Sequence, residues 1–272
     1  MLSIDSLVSQ YPDYLRQYRT HILREYLQYK VLEAVFATKM AKKLIFLGGT
    51  ALRIVYENTR FSEDIDFDNF GLTLEEFESL TSEVKRALEL EGFEVEMRLV
   101  SKNAYRAYIR FPSIMFEQGL TTQKQEKILI QIDTVPHYYD YQAENKILNK
   151  FDVFTQIYTT PLPLLMAQKI YAAFNRKRAK GRDFFDLVFL AGITKPHYGY
   201  LKEKLDIADS SQLKSFIKDK VKDLDFKQLA DDVRPFLFKP QDSKKVELFG
   251  EYAKTVEWWW WATYTFRMRG VD

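Results

Sequence analysis

Apolar and polar positions alternate in two rhythms along this chain. Over residues 13–41 the apolar positions Ile22, Leu23, Tyr26, Leu27, Leu32, Val35 and Phe36 recur at helical spacing, predicting one long helix that starts after Pro12 with Asp13 in its first turn. A short apolar strand, Leu44-Ile45-Phe46-Leu47, is broken by Gly48-Gly49-Thr50, and residues 50–57 read as a helix. Residues 64–68 alternate strictly, Asp-Ile-Asp-Phe-Asp, which is the period of a strand. A helix is expected at about 73–91, with Thr73 as N-cap, Glu76 closing a capping box and Gly92 ending it. Strand-like runs follow at 93–100, 104–111 and 127–133 with no helix between them, so this part of the sheet is expected to be antiparallel.

After about residue 155 the strand signals stop. Pro161 and Pro163 open a helix reaching about residue 178, a second runs over 182–191, and further helical segments lie near 198–208, 210–222 and 225–233. The pattern predicts an α+β chain in two parts, a mixed-sheet domain over residues 1–155 and a helical domain over 156–272.

Composition narrows the chemistry. With 46% apolar and 29% charged residues the chain is globular in character, and 272 residues suffice for a sizeable core. The net charge of +2 gives no whole-molecule case for nucleic-acid binding, so any such site has to be a local basic patch. The absence of cysteine removes disulfides, thiolate metal sites and cysteine nucleophiles. His21, His137 and His197 lack the helical spacing of a zinc hydrolase. The first ten residues do not read as a signal peptide, and no apolar run spans a bilayer, so no membrane association and a cytoplasmic location are expected.

The segment that carries chemistry is GGTALRIVYENTRFSEDIDFD, residues 48–68. On a strand, Asp64, Asp66 and Asp68 share one face while Ile65 and Phe67 point into a core. Asp64 and Asp66 then lie ~6.6 Å apart along the strand, a spacing at which a divalent cation relieves their repulsion. Mg²⁺ typically takes one or two carboxylates and fills its shell with water and phosphate oxygens. Gly48 and Gly49, lacking Cβ atoms, let the backbone approach a triphosphate. The following helix offers its N-terminal N–H groups to that anion, and Thr50 can add a hydroxyl. The element is not a Walker A loop, because the Gly-Lys-Ser/Thr part is missing. A plain half-exposed strand with its polar residues outward also accounts for the alternation alone.

A third carboxylate sharpens the picture. In KILIQID, Ile128, Ile130 and Ile132 face one side and Lys127, Leu129, Gln131 and Asp133 the other. If this strand neighbours 64–68, Asp133 is ~4.8 Å away across the sheet and can join the cluster. Three carboxylates can hold two metals for in-line phosphoryl or nucleotidyl transfer. An Asp that merely ends a strand before a turn is the competing account.

GGTALR…RFSEDIDFD, followed by LPLLMAQKIYAAF and GRDFFDL, resembles the AbiEii toxin family within the polymerase-β-like nucleotidyltransferase superfamily. The resemblance runs from the first long helix to residue 191. It implies a polymerase-β-like nucleotidyltransferase domain followed by a helical C-terminal domain. It implies a nucleotidyltransferase toxin of a type IV toxin–antitoxin and abortive-infection system, with a separately encoded antitoxin as partner. Gly48 and Gly49 match the family's glycine pair, Asp64 and Asp66 its metal-binding aspartates, and Asp133 its third acidic position. Lys169 matches a motif lysine, although this chain reads Ala-Gln-Lys where Ala-Glu-Lys is usual, and so lacks one carboxylate. Asp183 matches the fourth motif, with Asp186 as companion.

The expected catalytic set is therefore Asp64, Asp66, Asp133, Lys169 and Asp183. The expected nucleotide-binding set is Gly48, Gly49, Thr50, Arg60, Ser62 and Lys169, with Asp64, Asp66 and Asp133 holding Mg²⁺ or Mn²⁺ and an NTP as substrate. A tRNA 3′ end is the favoured acceptor by resemblance, with another RNA or a protein hydroxyl left open. Lys169 lies on the apolar stripe of its helix, where it either snorkels or meets an anion. The five basic residues of 176–182 form either a solvated turn or a phosphate contact. Trp258–Trp261 cannot all face one core, and part of the run is expected to meet a partner subunit or an RNA base. A nucleotide- or RNA-binding module without turnover is the second functional reading, and a ligand-free scaffold the third.

Overall fold

A computed structural model of the chain describes residues 1–101 and 104–256. Trp258–Trp261 lie outside the described residues. The chain forms two compact units, one of Met1–Pro161 with Phe236–Lys239 and one of Leu162–Pro235 with Pro240 onward.

The first unit is a mixed sheet with helices. In chain order it contains α1 (Ile4–Ser9), α2 (Arg19–Phe36), β1 (Leu44–Leu47), α3 (Gly48–Tyr56), β2 (Ile65–Asn69), α4 (Leu74–Leu90), β3 (Glu96–Ser101) and β4 (Tyr105–Phe111). It continues with the short α5 (Ile114–Glu117) and with β5 (Ile128–Pro136), β6 (Glu144–Lys150) and β7 (Val153–Thr159). The sheet order is β3-β4-β5-β2-β1-β7-β6. As the sequence suggests, β3, β4 and β5 are antiparallel neighbours. Strand β2 runs parallel to β5 and antiparallel to β1, while β1 and β7 are parallel.

Helix α4 forms where its local chemistry asks for it. Thr73 accepts from the Glu76 backbone N–H at 3.3 Å, and the Glu76 carboxylate accepts from the Thr73 N–H at 3.0 Å. Its residues Phe77, Leu80, Val84 and Leu88 are buried, a stripe at helical spacing. Helices α2 and α4 pack on each other; α2 also lies on β5 and β7, and α4 on β3 and β4. Ile65, Phe67, Ala107, Ile109, Phe111, Ile128, Ile130 and Ile132 share one core with them.

Two expectations are corrected here. The helix expected over 13–41 is α2 alone, preceded by a single 3₁₀ turn at Asp13–Leu15 and followed by another at Lys39–Lys43. Residues 15–18 form turn bonds, with the Tyr18 N–H on Leu15 O, and at the far end the Thr38 hydroxyl and N–H both return to Val35 O. Strand structure also continues past residue 155, because β6 and β7 form an antiparallel hairpin at the sheet edge. Ile147 and Phe154 are largely exposed on it, which hides the in–out alternation that marks a half-buried strand.

The second unit is helical: α6 (Leu162–Asn175), α7 (Gly181–Ala191), α8 (Tyr198–Leu205), α9 (Ser210–Lys220), α10 (Phe226–Val233), α11 (Lys244–Glu247) and α12 (Phe249–Thr255). A Cβ on Gly181 would lie 1.9 Å from Leu229 O, so only glycine lets α7 approach α10 this closely. Phe174, Phe184, Phe226 and Phe249 pack edge-to-face and stacked at the centre of the unit. Among the described residues no helix is long and apolar enough to cross a membrane.

Candidate active site

Strand β1 ends at Leu47, which is opposite Asp66 on β2, and the chain passes at once into α3. Gly48 makes the turn at φ +82°, a backbone region that L side chains rarely adopt. The helix thus starts at the glycines themselves, two residues earlier than the sequence pattern suggests. A Cβ on Gly48 would lie 2.2 Å from Asp66 Oδ2. A Cβ on Gly49 would lie 2.4 Å from Arg60 Nη2 and 3.0 Å from Ser62 Oγ. The glycine pair is therefore needed for the close packing of one carboxylate, one guanidinium and one hydroxyl against the first turn of α3. Gly48, Gly49, Arg60, Ser62 and Asp66 come together here.

Other side chains fix the loop that presents Asp64. The Thr50 hydroxyl, fully buried, donates to Asp64 O. It holds the start of β2, the place this hydroxyl takes in the structure. Gln28, a buried polar residue of α2, donates from Nε2 to Ser62 O at 3.0 Å and Glu63 O at 2.9 Å. Arg60 is buried, and its Nη1 donates to Phe61 O at 2.9 Å. Gln28 was missed in the sequence, where a polar residue inside an apolar helical stretch was its one signal.

Helix α3 is tied down further by a buried charge cluster. Glu25 on α2 accepts from Arg53 Nε at 2.8 Å, Lys150 Nζ at 2.8 Å and the Tyr11 hydroxyl at 2.8 Å. Burial works against the Glu25 charge, but Arg53 and Lys150 outweigh it and hold the carboxyl below the ordinary range. Burial, with Glu25 beside it, pushes the Tyr11 hydroxyl well up.

Asp133 is the register partner of Asp66 across the β2–β5 pair, the neighbouring position the sequence called for. Its carboxylate, however, accepts from Arg106 Nε and from Gln131 Nε2 at 2.5 Å. Among the described residues no three Asp, Glu, His or Cys side chains are grouped so as to hold a metal ion. Strand β4 places Arg106 directly opposite Asp133. The Asp133 hydrogen bond and charge in turn hold the Arg106 pKa above its ordinary value. Asp68 is engaged elsewhere: it accepts from the Tyr141 hydroxyl at 2.7 Å and lies 3.0 Å from His137 Nδ1.

In the helical unit Lys169 meets an anion, but the anion is internal. Its Nζ lies 2.9 Å from Asp183 Oδ1 and 2.9 Å from Asp186 Oδ2 on α7. Both carboxylates are buried, and Arg176 adds a 3.3 Å contact to Asp183. Of the other basic residues of 176–182, Lys177, Arg178 and Lys180 are exposed and Arg182 is half-buried.

Residues 30–258 match the family model described as nucleotidyl transferase AbiEii toxin, type IV TA system. The fold is similar to the crystal structure of JHP933 from Helicobacter pylori (TM-score 0.53, 18% identity, 86% of this chain and 92% of that one). It is also similar to a candidate nucleotidyltransferase from H. pylori (TM-score 0.54, 19% identity, 86% of this chain and 95% of that one). At these identities the likeness is one of fold. No curated protein matches the chain. The glycine turn under Asp66 and the Asp-x-Asp strand lie inside the matched span, and the chain belongs to the AbiEii family of nucleotidyl transferase toxins.

Proposed function

We propose that this protein transfers a nucleoside monophosphate from an NTP to an acceptor hydroxyl on RNA, with tRNA as the favoured acceptor, in a Mg²⁺-dependent reaction. The observation that carries this is the packing of Asp66, Arg60 and Ser62 onto the Gly48-Gly49 turn at the head of α3. Asp64 and Asp66 supply hard oxygen donors beside the first turn of α3, which suits Mg²⁺, and Mn²⁺ by the same donor chemistry. When bound, the cation neutralises phosphate charge, a large part of phosphoryl-transfer catalysis.

The chain's own groups do the rest. The N–H groups of the first α3 turn face the triphosphate, and Arg60 adds positive charge beside them. The acceptor oxygen attacks the α-phosphorus, the bond to the bridging oxygen breaks, and pyrophosphate leaves. Asp133, next to Asp66 in register, receives the hydroxyl proton once its carboxylate leaves Arg106. Lys169, Asp183 and Asp186 keep the α6 and α7 motif helices locked together. The family's type IV systems imply a separate antitoxin that restrains the activity, and a cytoplasmic location goes with the proposed substrates.

The Arg106–Asp133 bond also favours the reading of a binding protein without turnover. Incubation of total tRNA with each α-³²P-labelled NTP and Mg²⁺, beside Asp64→Asn/Asp66→Asn, separates the two. Label on RNA that vanishes in the variant is expected. Metal-dependent NTP binding with no label on RNA or protein would refute transfer and leave the binding reading.

A further inference from the structure

The sheet face that bears the aspartates does not end at them. Register carries it outward from β2 over β5, β4 and β3. One row runs Asp66, Asp133, Arg106. The next runs from Gln131 through Tyr108 to Arg98, and a third pairs Leu129 with Arg110 and Glu96. The opposite face is the core, formed by Ala107, Ile109 and Phe111 with Ile128, Ile130 and Ile132. Arg98 and Arg106 are exposed on the outer face, and Tyr108 and Arg110 are half-buried.

Away from Asp64 and Asp66, over β5, β4 and β3, cations outnumber acids on this face. Its two acids are neutralised locally, Glu96 by Lys127 at 2.7 Å and Asp133 by Arg106. Arg98 and Arg110 have no ion-pair partner among the described residues, so the patch carries two uncompensated cations. A protein-docking core would be depleted in charge and richer in apolar surface. Arginine forks next to a flat tyrosine ring on an open sheet are the chemistry of phosphate contact and base stacking. The patch measures on the order of 10 by 13 Å from strand spacing and rise, longer than one nucleotide repeat of a single strand.

We propose that the outer face of β3, β4 and β5 is the platform for a single-stranded segment of the acceptor RNA. Arg98 and Arg110 take its phosphates and Tyr108 stacks on a base, and the row through Arg106 and Asp133 leads its terminal hydroxyl toward Asp66. The assignment rests on the transfer reading above for the direction of the strand, but the binding itself does not.

Equilibrium binding of a fluorescent single-stranded RNA oligonucleotide, without NTP or metal and over a range of salt, tests it. Removing two phosphate contacts in Arg98→Gln/Arg110→Gln should flatten the slope of log affinity against log salt by about 1.4. Tyr108→Ala should bind about tenfold more weakly, while Tyr108→Phe, which keeps the ring, binds as wild type. These residues lie on the open face, so melting temperatures should stay unchanged. Asp64→Asn/Asp66→Asn should keep RNA affinity, so loss of the transfer reading alone would leave these results standing. Wild-type affinity and slope in both Arg98→Gln/Arg110→Gln and Tyr108→Ala would overturn the platform, as would absence of RNA binding by the wild type. A dimer that dissociates in Arg98→Gln/Arg110→Gln, with RNA binding intact, would assign the face to a second copy of the chain and equally overturn it.

Discussion

Replacing Gly48 by alanine separates the chemistry of the glycine turn from its backbone role. Gly48 has φ +82°, and an added Cβ would sit 2.2 Å from Asp66 Oδ2, with Asp66 Cγ and Cβ also within 3.2 Å. Gly71 offers a matched control, with φ +79° and nothing within 4 Å of an added Cβ. Both substitutions carry the strain of a left-handed L residue, about 1–2 kcal/mol. For a unit of this size that lowers the melting temperature by roughly 2–8 °C. Only Gly48→Ala also has to push the Asp66 carboxylate away, by roughly 1 Å before ordinary contact is restored, and a misplacement of that size costs about 100-fold in rate. Single-turnover label transfer, measured well below both melting temperatures, should therefore show wild-type rates for Gly71→Ala and a loss of about two orders of magnitude for Gly48→Ala. Equal rates in the two variants, at similar stability, would refute the idea that the glycine turn sets the position of Asp66.

Other outcomes follow from the buried charges. The Glu25 carboxyl titrates lower in the folded chain than in the unfolded one, so its contribution to stability is full above the unfolded value, about pH 4.5, and is lost as pH falls through the folded value. Glu25→Gln should flatten the acid limb of the stability–pH curve in urea melts and lower stability at pH 7 by about 3–5 kcal/mol, because Arg53 and Lys150 lose their shared partner; an unchanged acid limb would refute this. Lys169→Met should destabilise the helical unit by a similar amount, about 3–5 kcal/mol, by leaving Asp183 and Asp186 buried without their cation. If calorimetry instead shows an unshifted melt while NTP affinity falls, the lysine serves the nucleotide and not the helix pair.

Features written in consecutive residues were legible without a structure. The Thr73–Glu76 capping box, the strand alternation of Asp64 and Asp66, the glycine pair and each motif block of the AbiEii family are written in residues a few positions apart, where backbone geometry alone decides which side chains share a face. The inward face of Ile128, Ile130 and Ile132, and so the outward face of Asp133, followed from the same period of two. The β6–β7 hairpin was not legible, because its exposed Ile147 and Phe154 erase the contrast between faces.

What tertiary structure alone decided is how each charged side chain is employed. Asp133 could be placed beside Asp66 from strand order, but its bond to Arg106 depends on the register of β4, a contact between residues 27 positions apart. Gln28 reaches Ser62 and Glu63 only because α2 lies under that loop, and Thr50 bonds Asp64 O only because α3 folds back on β2. Lys169 announced in the sequence that it needed an anion, and packing of α7 on α6 supplied two. Local periodicity determines which way a side chain points; which partner it finds there is set by elements arriving from elsewhere in the chain, and a buried charge must take the partner that the packing brings.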